Sequence, residues 1–310
     1  MNTQFAMGRL QEAVKVKGPL CTGIDTDSSY LPPEVLSKYD SPSQAVLAYN
    51  LGLIEATAPY SACFKVQIAY YEAMGLSGLD TYTKTLKAIK AAGIPVIADI
   101  KRGDIADTAK AYARAHFTGD FEADIITLNP YMGFDTLTPF TEYISPEKGS
   151  KGAFVLLRTS NPGMVDIEKQ ELAKGGYVLD HVGSELLSIA EKYADLYPGA
   201  ECAPFGAVVG CTEESDARAL RDAYPNIFFL IPGYGAQGGA ARIAATLLDK
   251  AGGVVNSSRG ILCAWKKDES LAAKKEAGSL TLNDIVASAE KAAKEGKADL
   301  LNAVSLLGIK

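Results

Sequence analysis

Short apolar runs bounded by Gly, Pro, Asn or Asp recur eight times along the chain, and they limit what it can fold into. They read PLCTGID (19–25), ACFKVQ (62–67), PVIADI (95–100), DIITLN (124–129), AFVLLRT (153–159), FGAVVG (205–210), IFFLIPG (227–233) and GVVNSS (253–258). Between them lie segments of helical period such as SQAVLAYNLGLIEATA, DTYTKTLKAIKAAG and IADTAKAYARAH. Eight strands alternating with helices predict an α/β fold, a closed parallel (β/α)8 (TIM) barrel. A doubly wound open sheet is the structural rival, but its phosphate-binding turn follows the first strand. Here the Gly-rich turn follows the seventh.

Two stretches exceed a minimal barrel. Residues 164–203 hold an extra helix with Leu179, Val182, Leu186, Ile189 and Tyr193 on one stripe. Residues 266–279 (KKDESLAAKKEAGS) are charged and belong on the surface. A closing helix from about Thr281 to Lys294 carries Leu282, Ile285, Val286 and Ala289 at core spacing. Residues 1–310 thus read as one domain with added helices.

Composition narrows the function classes. A net charge of −6 argues against nucleic acid or an anionic membrane as partner. No apolar run is long enough to span a bilayer, and the first residues lack the core of a signal peptide. Five cysteines without a C-x-x-C pair suit reduced thiols in a cytoplasmic protein. No His/Cys/Asp cluster has zinc-ligand spacing, so no metal is expected. His116 and His181 sit in helical contexts and read as surface or helix residues. Trp265 follows the eighth strand and is expected to pack the closing segment.

The stretch VIADIKRGDIADTAKAY (96–112) places Asp99, Lys101 and Asp104 at a strand-to-helix junction. Asp99 and Lys101 fall on one strand face, with Ile100 on the other. At the C-terminal end of a barrel strand that face opens into the mouth, where active sites sit. Gly103 permits a sharp turn, and the helix is expected to begin near Ile105. Within the chain, Asp104 reads equally as a helix cap and Asp99–Lys101 as a structural ion pair. Lys65 lies inside an apolar strand, which is unfavourable unless its ammonium meets an anion or reaches solvent. Asp99 on the adjacent strand is the expected anion. Asp25 ends the first strand, where a turn or capping role is the bland alternative.

The motif ADIKRGDIADT resembles the D-x-K-x-x-D-I-x-x-T signature of the orotidine 5′-phosphate decarboxylase family. TSNPG (159–163), PGYGAQGG (232–239) and SSRG (257–260) follow in that family's order, and TSNPG with the chain length looks like its longer bacterial-type subgroup. The resemblance implies removal of CO2 from orotidine 5′-monophosphate to give uridine 5′-monophosphate, the last step of de novo UMP synthesis, without a cofactor. It implies Lys101 beside C6 as electrostatic stabiliser and proton donor, Asp99 near the departing carboxylate, and Lys65 holding the charged array. It further implies a homodimer with shared active sites, in which Asp104, Ile105 and Thr108 complete the partner's site.

For the substrate, the resemblance places Asp25 on the ribose hydroxyls. Ser160 and Asn161 would read the pyrimidine edge, with Pro162 stiffening the loop; the alternative is an ordinary polar turn. The phosphate is expected at the loops after strands seven and eight, capped by Gln237 and bound by Arg259, with Pro232 and Ser258 as further substrate-binding residues. Glycines 233, 235, 238 and 239 let backbone N–H groups approach an anion.

Two rival functions stand beside this one. A related barrel acting on sugar phosphates, such as keto-gulonate phosphate decarboxylase or hexulose phosphate synthase, shares D-x-K-x-x-D but uses magnesium. The extended KRGDIADT with TSNPG and GAQGG favours the nucleotide enzyme. A catalytically inactive phosphate-binding barrel would be expected to lose Lys101 or an Asp, and this chain keeps them.

Overall fold

The computed structural model describes residues 5–234 and 240–309. Eight parallel strands close into a barrel in chain order, with β8 pairing back onto β1. They are β1 (Leu20–Gly23), β2 (Cys63–Gln67), β3 (Val96–Arg102), β4 (Ile125–Leu128), β5 (Gly152–Arg158), β6 (Phe205–Val209), β7 (Phe229–Ile231) and β8 (Gly253–Ser257). Each overlaps one of the eight apolar runs. Strands of a parallel barrel are covered on both faces, which is why these runs are continuously apolar. Phe64, Phe154, Phe205 and Phe229 are fully buried on them.

The surrounding helices start where the chain offers caps. The helix Pro42–Thr57 opens with Pro42 in its first turn and the Ser41 hydroxyl accepting from Gln44 N–H. The closing helix is Leu282–Leu306, longer than the 281–294 expected. Thr281 and Asp284 form its capping box, and no proline stops it after Lys294. Leu300, fully buried, extends its apolar stripe. The insertion at 164–203 forms a narrow loop closed by a Glu171–Tyr177 bridge, then the helix Val178–Lys192. That helix buries Leu179, Leu186 and Ile189, as its stripe predicts. Residues 266–279 form short helical turns on the surface.

Four expectations need adjustment. Asp104 is not the cap of the helix that follows β3: that helix is Ala106–Phe117, and its cap position is Ile105. Gly103 is required by close approach as much as by turning, because a Cβ there would meet the Asn129 carbonyl oxygen at 2.6 Å. β3 runs two residues further than its apolar run, through Lys101 and Arg102. His116 is buried, not on the surface, stacked at 6.0 Å on Phe121. His181 is exposed, and the Trp265 indole N–H donates to the Tyr30 carbonyl at 3.0 Å, packing the closing segment.

Candidate active site

Towards the C-terminal ends of β1, β2 and β3 four charged side chains form one hydrogen-bonded row. Lys65 Nζ donates to Asp25 Oδ1 at 2.8 Å and to Asp99 Oδ2 at 2.9 Å. Lys101 Nζ donates to the other Asp99 oxygen, Oδ1, at 2.7 Å. Charges therefore alternate, Asp25–Lys65–Asp99–Lys101. Lys65 and Asp99 are each about 5% exposed, whereas the Lys101 side chain is 45% exposed at the open end.

Electrostatics follows from that burial. Burial alone would raise the Asp99 carboxyl pKa, but the ammonium charges of Lys65 and Lys101 outweigh it and hold the group well below the usual carboxylate range. Burial alone would lower Lys65, yet the charges of Asp25 and Asp99 and their hydrogen bonds raise it above an ordinary lysine. Both groups are locked in their charged forms.

The backbone under Lys101 is strained. Its φ of 44° lies in the left-handed region, where a non-glycine residue costs on the order of 1–3 kcal/mol. Register between β3 and β4 slips between Ala98 and Arg102, so the simple alternation of faces breaks here. The Thr127 hydroxyl holds the distortion: it accepts from Ile100 N–H at 3.0 Å and Lys101 N–H at 2.9 Å, and donates to Asp99 Oδ1 at 2.8 Å. A threonine in an apolar strand reads as an ordinary β-branched residue, so nothing in the sequence marked it.

Two cavities meet at the row. The smaller, about 250 Å³, has Lys65, Asp99, Lys101 and Thr127 on one side and Ser160, Asn161, Pro232 and Asn256 on the other. Leu156, Val208 and Leu230 form its apolar floor. The larger, about 1160 Å³, opens towards β1, β7 and β8 and includes Asp25, Pro232, Gly233, Ser258 and Arg259. Lys266 and Lys267 join Arg259 on its wall; they were read only as surface charge. Ser258 Oγ donates to Asp25 Oδ2 at 2.6 Å, and Asn256 Nδ2 donates to Ser258 Oγ at 3.0 Å. Gly23 makes room for this group, since a Cβ there would lie 2.0 Å from Ser258 Oγ.

Asp104, Ile105 and Thr108 do not join the row. The Asp104 carboxylate accepts from Ile105 N–H at 2.8 Å, while Ile105 and Thr108 are exposed. Gln237 lies outside the described residues, as do glycines 235, 238 and 239.

A parallel barrel whose mouth holds alternating lysines and aspartates beside an apolar-floored cavity has the layout of a barrel enzyme. The chain belongs to the orotidine 5′-phosphate decarboxylase / HUMPS family, which it matches over residues 18–275. The orotidine 5′-phosphate decarboxylase of Clostridium perfringens is 51% identical over 262 residues, 84% of this chain and 90% of the relative. That of Clostridium acetobutylicum is 49% identical over the same length and shares. The OMP decarboxylase structure of Leishmania donovani superposes with a TM-score of 0.67 at 28% identity, covering 96% of this chain and 99% of that one.

Proposed function

We propose that the protein converts orotidine 5′-monophosphate to uridine 5′-monophosphate and CO2, the last step of de novo UMP synthesis. The observation that carries this reading is the row ending in Lys101, with its ammonium beside a cavity of about 250 Å³ lined also by Ser160 and Asn161. The C6–carboxylate bond breaks heterolytically, CO2 leaves, and the electron pair stays in the ring plane, where the π-system cannot spread it. The Lys101 ammonium stabilises that pair and then transfers a proton to C6, recovering its own from solvent. Asp99, kept ionised by Lys65, faces the substrate carboxylate. Asp25 and Lys65 take the ribose hydroxyls, and Arg259 the phosphate through its planar fork.

The family includes metal-using sugar-phosphate barrels. Here all four oxygens of Asp25 and Asp99 already accept from Lys65, Lys101, Thr127 or Ser258. A divalent ion would have to compete with these ammonium and hydroxyl donors to reach them. Ultraviolet-monitored turnover of orotidine 5′-monophosphate, unchanged by EDTA, is the expected result; turnover abolished by EDTA, or none at all, overturns the reading.

The working unit we propose is a homodimer in the cytoplasm. Leu76, Ile105, Tyr131 and Met132, which follow β2, β3 and β4, are 87%, 53%, 75% and 51% exposed. Large apolar side chains exposed after three consecutive strands favour cover by a partner, and Asp104, Ile105 and Thr108 on the same side would then reach its site. The free thiols of Cys21, Cys63 and Cys202 are buried, which fits a reducing compartment. Among the described residues no helix is long and apolar enough to cross a membrane. Mixing inactive Lys101→Ala and Asp104→Ala dimers tests the shared site. If partners randomise, about half the dimers carry one intact site, so activity should recover to roughly a quarter of wild type. An inactive mixture, with exchange confirmed by mass, returns Asp104 to its own chain.

A further inference from the structure

The insertion after β5 is tied to the candidate pyrimidine loop by one carboxylate. Glu168 Oε1 and Oε2 accept from Thr159 N–H at 3.1 and 3.0 Å, and Oε1 also accepts from the Thr159 hydroxyl at 2.5 Å. Thr159 is the last residue before Ser160 and Asn161. Glu168 is itself fixed through its backbone: its N–H donates to Met164 O at 2.8 Å, and its carbonyl accepts from Leu179 N–H at 3.0 Å, at the start of the helix Val178–Lys192. The next residue is braced too. Lys169 Nζ donates to Asp216 at 3.2 Å, and the same carboxylate lies 3.7 Å from the buried Arg158 at the end of β5. Gly210 runs close by on the loop's other side, where a Cβ would lie 3.0 Å from the Ser160 Cβ and 3.2 Å from Pro232 Cγ.

We infer that Glu168 is a positioning residue for base recognition, and that the insertion serves to hold Ser160 and Asn161 against the pyrimidine. The inference rests on the reading that this loop faces the base. The physical argument is one of preorganisation. Loop residues 160–163 are exposed or nearly so and bury little surface that could fix them. A carboxylate accepting three hydrogen bonds at Thr159 sets the direction in which the chain leaves β5, so less ordering is left for the ligand to supply. Strand and insertion are thereby coupled through one side chain.

Competition assays with two probes test this. Uridine 5′-monophosphate uses the base loop; ribose 5-phosphate lacks a base and does not. Glu168→Ala should weaken uridine 5′-monophosphate about 10- to 100-fold, the order lost with hydrogen bonds to a charged group, while ribose 5-phosphate stays within about twofold. Glu168→Gln keeps a carbonyl acceptor and should recover much of the loss. Should Glu168→Ala not fold, Thr159→Val decides, with a selective loss of about threefold or more expected for the nucleotide. Equal weakening of both probes, or of neither, overturns the inference. Ser160→Ala and Asn161→Ala separate the two levels. If they weaken the nucleotide and the Glu168 variants do not, only the positioning role fails. If they leave it untouched, the loop does not read the base and both fall.

Discussion

Each end of the barrel buries a cation, and the two are neutralised by different means. At the mouth, Lys65 sits between two carboxylates. At the opposite end Arg221, with no exposed surface, donates to the backbone carbonyls of Tyr224, Ile227, Leu247 and Gly252, and its guanidinium lies 3.8 Å from the centroid of the Phe229 ring. Burial pushes the arginine down to about 9, which still leaves it charged at neutral pH, while the carboxylates raise Lys65. Carbonyl dipoles are fixed by the chain and serve as a clamp for the turns entering β7 and β8. Carboxylates bring formal charge, and that charge is passed along the row to Lys101. A buried cation marks chemistry only when its partners can act on something beyond it.

The largest expected effect breaks the row at its reactive end. Lys101→Ala should fold with nearly unchanged stability, since its ion pair is half exposed. Losing both the fixed charge and the proton should cost roughly 10⁴-fold or more in kcat/KM. Activity within about tenfold of wild type, a barrier change of only about 1.4 kcal/mol, would remove Lys101 from the centre of the mechanism.

The cations themselves give the next pair. Lys65→Met removes the buried counter-charge that Asp25 and Asp99 share and leaves Asp99 with Lys101 alone, so it should cost about 3 kcal/mol or more in urea unfolding and remove activity as well. Arg221→Met leaves four buried carbonyls short of donors and should cost about 3 kcal/mol or more. Its kcat/KM per folded molecule should match wild type. Loss of specific activity in the arginine variant, or full activity in the lysine variant, would erase the distinction between the two ends.

Much of this was legible because sequence patterns report local constraints. The eight strands appear as apolar runs, and Lys65 stands out as a charge inside one of them. Asp99 and Lys101 share a strand end whose place in the barrel follows from counting. Thr127 was invisible, because its role depends on a register slip in the neighbouring strand. Arg221 was equally so: in ESDARALRDA it has the surroundings of a surface arginine, and its burial is decided by carbonyls up to 31 residues away. Glu168 lay in the part of the insertion that precedes its helical stripe, where no periodicity marks it. Side chains whose meaning comes from distant backbone leave no periodic signal.

His116 extends the comparison to a buried base held by neither charge nor carbonyl. Its Nδ1 has no hydrogen-bond partner, and its ring stacks on Phe121. Burial, reinforced by the Arg102 charge, pushes its pKa down from 6.5 to about 4. The folded protein therefore keeps it neutral where the unfolded chain would protonate it. As pH falls from about 6.5 towards 4, the unfolded state takes up a proton that the folded state refuses, and stability drops. A shift of this size corresponds to about 3 kcal/mol at most. Asp99 also loses its contribution on acidification, but its folded pKa lies well below the usual carboxylate range, so that loss falls at lower pH than the histidine window. Urea unfolding of wild type and His116→Phe between pH 7 and 4 separates them. The wild type should weaken relative to the variant across that window, and the difference should level off below it. Parallel curves would mean that His116 finds a partner for its proton in the folded state.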